Sequence, residues 1–226
     1  MPALVKTLFL FKPLPLVLIA LVSCLLSQQA LSNTHTLKSI LVLGDSISAA
    51  YGIKQEEGWV ALLNKKLEAE KSHYQAINAS VSGNTSSDGL GRLQALLKQH
   101  QPEIVIVELG GNDGLRGYPI KLMERNLERI IRLSQESGAK VLLAGIEIPP
   151  NYGQRYTRAF RQGFINVNDR INKAVLTDKE EIAFLPFILK EIGTNPQLMQ
   201  KDGIHPTAEA QIMILNNVWP YLKPLL

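Results

Sequence analysis

Five short apolar runs recur along the chain, each followed by a stretch whose apolar residues fall every three or four positions. The runs cover residues 39–43, 76–79, 104–109, 141–146 and, more weakly, 182–185. Strands alternating with amphipathic helices read as repeated βα units, which build a parallel sheet of about five strands. The intervening stretches can be placed as helices. Residues 59–71 put Trp59, Leu62, Leu63 and Leu67 on one face, and residues 87–100 do the same with Leu90, Leu93, Leu96 and Leu97. Residues 122–137 repeat the pattern, with Gly138 just past the end where a left-handed cap residue belongs. Residues 155–175 and 208–222 complete the set.

The length of 226 residues leaves one domain of about 190 residues once an N-terminal leader is set aside. Lys6 and Lys12 precede the apolar stretch 14–22, and Ser27, Gln28, Gln29 and Ala30 follow it. A positive start, a short apolar middle and a small-residue exit form the pattern of a signal peptide. Residues 1–33 are therefore expected to direct export, to the periplasm of a bacterial cell, and residues 34–226 to form a single domain. The apolar stretch falls short of the roughly 20 residues needed to span a bilayer. Leu21-Val22-Ser23-Cys24 also resembles a lipobox, which leaves a lipid anchor on Cys24 as an alternative to a free mature chain. No other cysteine exists, so a mature domain without disulfides relies on its core. The net charge of +4 falls to +2 without Lys6 and Lys12, and no run of five basic residues occurs. That balance gives no basis for a nucleic-acid partner.

Gly44-Asp45-Ser46-Ile47-Ser48 follows the first apolar run directly. The carboxyl end of a buried strand is where an open α/β sheet places its chemistry, so Ser46 is a candidate nucleophile. The same triplet is also ordinary turn chemistry. A serine hydroxyl needs a base, and the chain offers four histidines. His35 lies beside the leader, His73 at a helix end and His100 in a connection, all expected to face solvent. His205 lies in Asp202-Gly203-Ile204-His205-Pro206, just before the last helix, with Pro206 suited to the first helical position. A turn can bring Asp202 onto one imidazole nitrogen while the other points at Ser46. Loop capping by Asp202 is the competing reading, and two ligands are too few for a metal site. Asp45 should point away from the partners of Ser46 and brace the strand end.

Two further strand-end loops could supply donors for an oxyanion: Ser82-Gly83-Asn84-Thr85, and Gly110-Gly111-Asn112-Asp113 with the amide of Asn112. Residues 110–119 and 147–156 read as non-helical and begin at strand ends, so they can wall the same crevice. Tyr118, Pro149 and Tyr152 are candidate substrate-binding residues there, together with Pro150.

With these blocks assembled, the chain resembles the SGNH (Gly-Asp-Ser-Leu type) hydrolase superfamily. The resemblance runs from Leu37 to about Tyr221 and rests on Leu43-Gly44-Asp45-Ser46, Asn78-Ala79-Ser80-Val81-Ser82-Gly83, the segment 108–117, Pro150-Asn151-Tyr152-Gly153 and Asp202-Gly203-Ile204-His205-Pro206. It implies a three-layer α/β/α sandwich on a flavodoxin-like sheet. It implies Ser46 as nucleophile, His205 as base and Asp202 as orienter, with an oxyanion hole from the backbone N–H groups of Ser46 and Gly83 and the side chain of Asn112. The implied reaction needs no metal or organic cofactor. The implied substrates are small acyl esters or thioesters, among them fatty acyl thioesters, lysophospholipids and aryl esters. Separately, the chain is expected to act as a monomer without a stable protein partner. The sequence departs from the family pattern at Ile47, where leucine is usual, and at Asn84, where aspartate often follows the glycine. A carbohydrate O-acetyl esterase of the same superfamily is the alternative activity. A non-catalytic flavodoxin-like binding domain is the alternative of another class, although no phosphate-loop glycine pattern follows a strand.

Overall fold

A computed structural model of the chain describes residues 37–173 and 181–226. The expected leader, which includes Cys24, lies outside the described residues, as does His35. Five strands form one sheet: β1 (Lys38–Gly44), β2 (Tyr74–Asn78), β3 (Ile104–Glu108), β4 (Lys140–Ala144) and β5 (Ala183–Leu185). All neighbours are parallel, in the order β2-β1-β3-β4-β5. Residues 40–43, 104–107 and 142–144 are fully buried, as central parallel strands covered on both faces must be.

Among the described residues, six helices of five residues or more surround the sheet: α1 (Trp59–Ala69), α2 (Ser86–His100), α3 (Gly111–Leu115), α4 (Ile120–Glu136), α5 (Gln154–Lys173) and α6 (Gln211–Leu222). Their layering follows from the strand order. The chain steps one way from β1 to β2, then back across β1 to β3, and onward to β4 and β5. With right-handed crossovers, that reversal puts α1 on one face and α2, α4 and α5 on the other. The packing agrees, since α1 contacts α6 while α2, α4 and α5 pack side by side. The result is the three-layer sandwich.

The helical faces read from the sequence are the buried ones. Trp59, Leu63 and Leu67 are buried on α1, and Leu93 and Leu97 on α2, with Leu62, Leu90 and Leu96 packed at the margin. The first turn of α2 is closed by a capping box, Thr85 with Asp88, which satisfies two backbone donors and starts the helix one residue earlier than expected. Gly138 follows the end of α4 in the left-handed conformation, as expected.

Three local expectations are corrected. Residues 110–119 are not wholly irregular, because they contain α3. Residues 147–156 contain a single 3₁₀ turn, Pro150–Tyr152, and the start of α5. Pro206 does not open the last helix. It pairs with Met199 in an isolated antiparallel bridge, with Gln200 N–H on the His205 carbonyl and Thr207 N–H on the Leu198 carbonyl, so the helix begins only at Gln211.

Candidate active site

The strand order reverses at β1, so the crevice beyond the carboxyl ends of β1 and β3 is the place where such a sheet binds ligands. Gly44 and Glu108, the last residues of these strands, are register partners. Everything singled out for acyl chemistry follows one of these two strands, follows β2, or reaches over from the loop before α6.

Ser46 Oγ lies 2.9 Å from His205 Nε2, and His205 Nδ1 lies 2.7 Å from Asp202 Oδ2. The other carboxylate oxygen of Asp202 accepts the backbone N–H groups of Ile204 at 2.9 Å and His205 at 3.0 Å. Asp202 therefore caps its loop and meets the imidazole at once, so the two readings left open by the sequence are both true of it. Burial opposes its ionisation, but the hydrogen bonds from the His205 ring and from the two backbone N–H groups outweigh burial and hold its carboxyl down at about 2. Asp202 is a carboxylate throughout the neutral range.

The loop that carries this pair is latched to the turn that carries the serine. Gln200 Nε2 donates to the carbonyls of Tyr51 at 2.8 Å and Pro206 at 2.9 Å. Tyr51 itself lies against the His205 ring, with centroids 4.4 Å apart. His205 and Ser46 belong to segments more than 150 residues apart in sequence, so a latch of this kind maintains a 2.9 Å contact that the local chain cannot.

The candidate oxyanion donors are placed less uniformly. Ser46 and Asn112 line one cavity. Gly83 is not among the lining residues, and its carbonyl accepts from Arg116 Nη2 at 2.9 Å. Among the described residues, no acceptor engages the backbone N–H of Ser46 or of Gly83. The Asn112 amide is engaged: its Nδ2 lies 3.2 Å from Asp45 Oδ2 and 3.1 Å from the Asn84 carbonyl. An oxyanion at this site would have to share or displace one of these acceptors. The side chain of Asn84 accepts from Arg92 Nε at 2.8 Å.

Asp45 departs from its expected place. It is buried, and it accepts from the Ile47 N–H at 3.1 Å on one oxygen and from Asn112 on the other. It braces the turn, yet it also holds a residue of the candidate oxyanion site rather than facing away. Below it lies Glu108, fully buried, whose Oε2 accepts from Ser48 Oγ at 2.7 Å and from the Asp45 N–H at 3.3 Å. Trp59 Nε1 donates to the same Ser48 oxygen at 3.1 Å. Gly44 makes this stacking possible, because a Cβ there would stand 2.7 Å from Glu108 Oε2 and 2.8 Å from Ser80 Oγ. Gly110 has a similar role beside β3. It adopts φ +115°, and a Cβ would meet Met123 Sδ at 2.9 Å.

Burial pushes the Asp45 carboxyl up to about 6, and burial together with the neighbouring Asp45 drives Glu108 well above the usual carboxylate range. Glu108 Oε1 has no hydrogen-bond partner among the described residues, which a neutral carboxyl tolerates far better than a carboxylate. Both raised groups hold protons in the folded chain that the unfolded chain has released. Their contribution to stability is fully present below the unfolded values and is lost as pH rises through the folded ones. Thermal unfolding followed upward in pH from the ordinary carboxylate range should therefore show stability falling with pH, through about 6 for Asp45 and beyond it for Glu108. Glu108→Gln, which keeps an acceptor for Ser48 and Asp45, should flatten the slope; an unchanged slope would show that Glu108 is not its source.

The cavity beside Ser46 has a volume of about 260 Å³ and is mainly apolar, with Leu115, Ile148, Pro149, Phe187, Leu189 and Met199 in its walls. Of the four candidate wall residues, it includes Pro149 and Pro150. Tyr118 and Tyr152 stand outside the lining and are 43% and 39% exposed. Tyr152 turns its hydroxyl to the Leu115 carbonyl at 3.1 Å, on the outer side of the wall. The wall from residues 187–204 was not anticipated. Its residues lie after β5, at the same carboxyl edge of the sheet, and that position is the signal that could have found them.

The GDSL-like lipase/acylhydrolase family model matches residues 42–211. Esterase TesA of Pseudomonas aeruginosa is 49% identical over 202 residues, covering 89% of this chain and 94% of that one. A protein of Escherichia coli named thioesterase 1/protease 1/lysophospholipase L1 is 43% identical over 187 residues, covering 83% of this chain and 84% of that one. The crystal structure of the psychrotrophic esterase EstA from Pseudoalteromonas, inhibited by monoethylphosphonate, matches with a TM-score of 0.75 and 43% identity, over 83% of this chain and 97% of that chain.

Proposed function

The chain belongs to the GDSL-like lipase/acylhydrolase family, which makes it an ester and thioester hydrolase, and we propose that it works by two-step acyl transfer centred on Ser46. The observation that carries this reading is the unbroken line from Ser46 Oγ through His205 to Asp202, with contacts of 2.9 and 2.7 Å. Ser46 Oγ attacks the acyl carbonyl while His205 Nε2 takes its proton. The oxyanion is received by the N–H groups of Ser46 and Gly83 and by the Asn112 amide, each such donor contributing about 10²- to 10³-fold in rate. The imidazolium then protonates the departing alcohol or thiol. Water, deprotonated by the same imidazole, attacks the acyl-enzyme and frees Ser46.

The preferred substrate is an acyl chain rather than an acetylated sugar, a reading supported by the apolar walls of the cavity that opens on Ser46. Each methylene that enters such a cavity contributes about 0.8 kcal/mol of transfer free energy. In a series of p-nitrophenyl esters, kcat/KM should rise several-fold per added methylene from the acetyl ester and then level off as the cavity fills. Highest activity on acetylated sugars, with no gain from longer chains, would overturn this preference. Export is proposed from the leader pattern of residues 1–33. The mass of the mature amino terminus distinguishes a cleaved chain, a chain acylated on Cys24 and an uncleaved one.

A further inference from the structure

We propose that the rim formed by α3, the turn after it and the start of α5 is a docking surface for an anionic lipid bilayer or micelle, from which acyl substrates enter the cavity. The proposal rests on the acyl-hydrolase reading for its purpose, but not for the binding itself.

The rim is one continuous piece of surface. Tyr152 Oη donates to the Leu115 carbonyl at 3.1 Å and Tyr156 Oη to the Gly114 carbonyl at 3.2 Å, so the start of α5 is tied to the end of α3. On the other side of α3, Arg116 reaches the Gly83 carbonyl. Leu115 and Pro149, which wall the cavity, adjoin this rim, so its exposed residues surround one side of the cavity mouth.

Exposed apolar and aromatic side chains lie along it. Of the eight large apolar residues exposed among the described residues, Tyr118 and Tyr152 are on the rim, and Leu122 is in the first turn of α4, which follows it directly. Clustered exposure of this kind marks interaction sites, whereas scattered exposure does not. Tyrosine in particular suits the boundary between headgroups and acyl chains, having an apolar ring and a polar tip.

Charge decides the kind of partner. Arg116, Arg155 and Arg158 are exposed on the same segments. Arg155 and Arg158 form no ion pair among the described residues, and they lie three positions apart on α5, on one helical face. The acids of these segments are already engaged: Glu147 faces Arg161 at 3.5 Å, and buried Glu124 is bridged by Lys121 and Arg170 at 2.9 and 3.0 Å. Exposed aromatics set beside the unpaired Arg155 and Arg158 fit an anionic lipid surface, where each cation near the surface strengthens binding about fivefold.

The test is co-sedimentation with vesicles of non-hydrolysable diether lipids. The full chain should sediment with vesicles of phosphatidylglycerol and phosphatidylcholine at low salt and remain in solution with phosphatidylcholine alone. Arg155→Glu combined with Arg158→Glu should weaken vesicle binding about tenfold or more. That variant should still hydrolyse a soluble short-chain aryl ester at the unaltered rate, which also reports that it is folded. Tyr118→Ser should weaken binding to the same vesicles as well. Equal binding to neutral vesicles, absence of binding to either, or unchanged binding by the charge-reversed variant would each overturn the proposal. Ser46→Ala should bind vesicles like the unaltered chain. If that variant binds and still hydrolyses, the acyl-transfer reading fails and the docking surface stands.

Discussion

Replacing Ser46 by alanine should lower kcat for a soluble aryl ester by about 10⁵- to 10⁶-fold, the scale seen when a serine hydrolase loses its nucleophile. The substitution removes one oxygen, and among the described residues that oxygen has one hydrogen bond, to His205 Nε2. The turn around it is held by other groups: the Ala49 and Tyr51 N–H groups on the carbonyls of Asp45 and Ser46, and the Ile47 N–H on the Asp45 carboxylate. Stability should therefore change by only a few tenths of a kcal/mol, within the range of substitutions that break no cap, cavity or buried bond. Turnover that survives in a folded Ser46→Ala protein would exclude Ser46 as the nucleophile.

Asp202→Asn should lower kcat by about 10²- to 10⁴-fold while leaving the loop folded. The asparagine carbonyl can still accept the N–H groups of Ile204 and His205, as the aspartate oxygen does now at 2.9 and 3.0 Å. What it cannot keep is an anion opposite Nδ1. An amide N–H turned toward the ring favours the tautomer with its proton on Nε2, and that nitrogen can then no longer accept from Ser46. The lower end of the range allows for solvent, because 39% of the Asp202 side chain is exposed and screening weakens its hold on the imidazolium. A kcat within twofold of the unaltered enzyme would reduce Asp202 to the cap of its loop.

The residues that the structure gathers around Ser46 were the most legible in the sequence, and the reason is geometric. Ser46 and Asn112 each sit where a strand stops, and in a parallel sheet such ends converge, while Asp202 and His205 stand out as an Asp-x-x-His loop before the last helix. Helix α3 was not legible, because Gly111-Asn112-Asp113-Gly114-Leu115 has the local preferences of a turn. It is set by a distant partner: Asp113 is buried and accepts from the Ser86 N–H and hydroxyl at 2.8 and 2.6 Å, across 27 residues of sequence. Glu108 was hidden for a related reason. An acid at the end of an apolar strand reads as exposed, and only the pairing of Gly44 with Glu108 reveals that it lies under the serine turn. Tyr118 and Tyr152 could be placed beside the crevice but not on a side of its wall, since residues in short turns have no periodicity to say which way they face.

An activated Ser46 is the centre of the account, and one measurement addresses it directly: reaction of the folded chain with a fluorophosphonate, followed by mass analysis of the intact protein and of its peptides. Only a serine whose proton is accepted by a poised base reacts quickly with such a probe. The account predicts one adduct per chain, carried by the peptide that contains Ser46, absent in Ser46→Ala and formed far more slowly in His205→Ala. An adduct on another residue, or labelling at the same rate without His205, would contradict it.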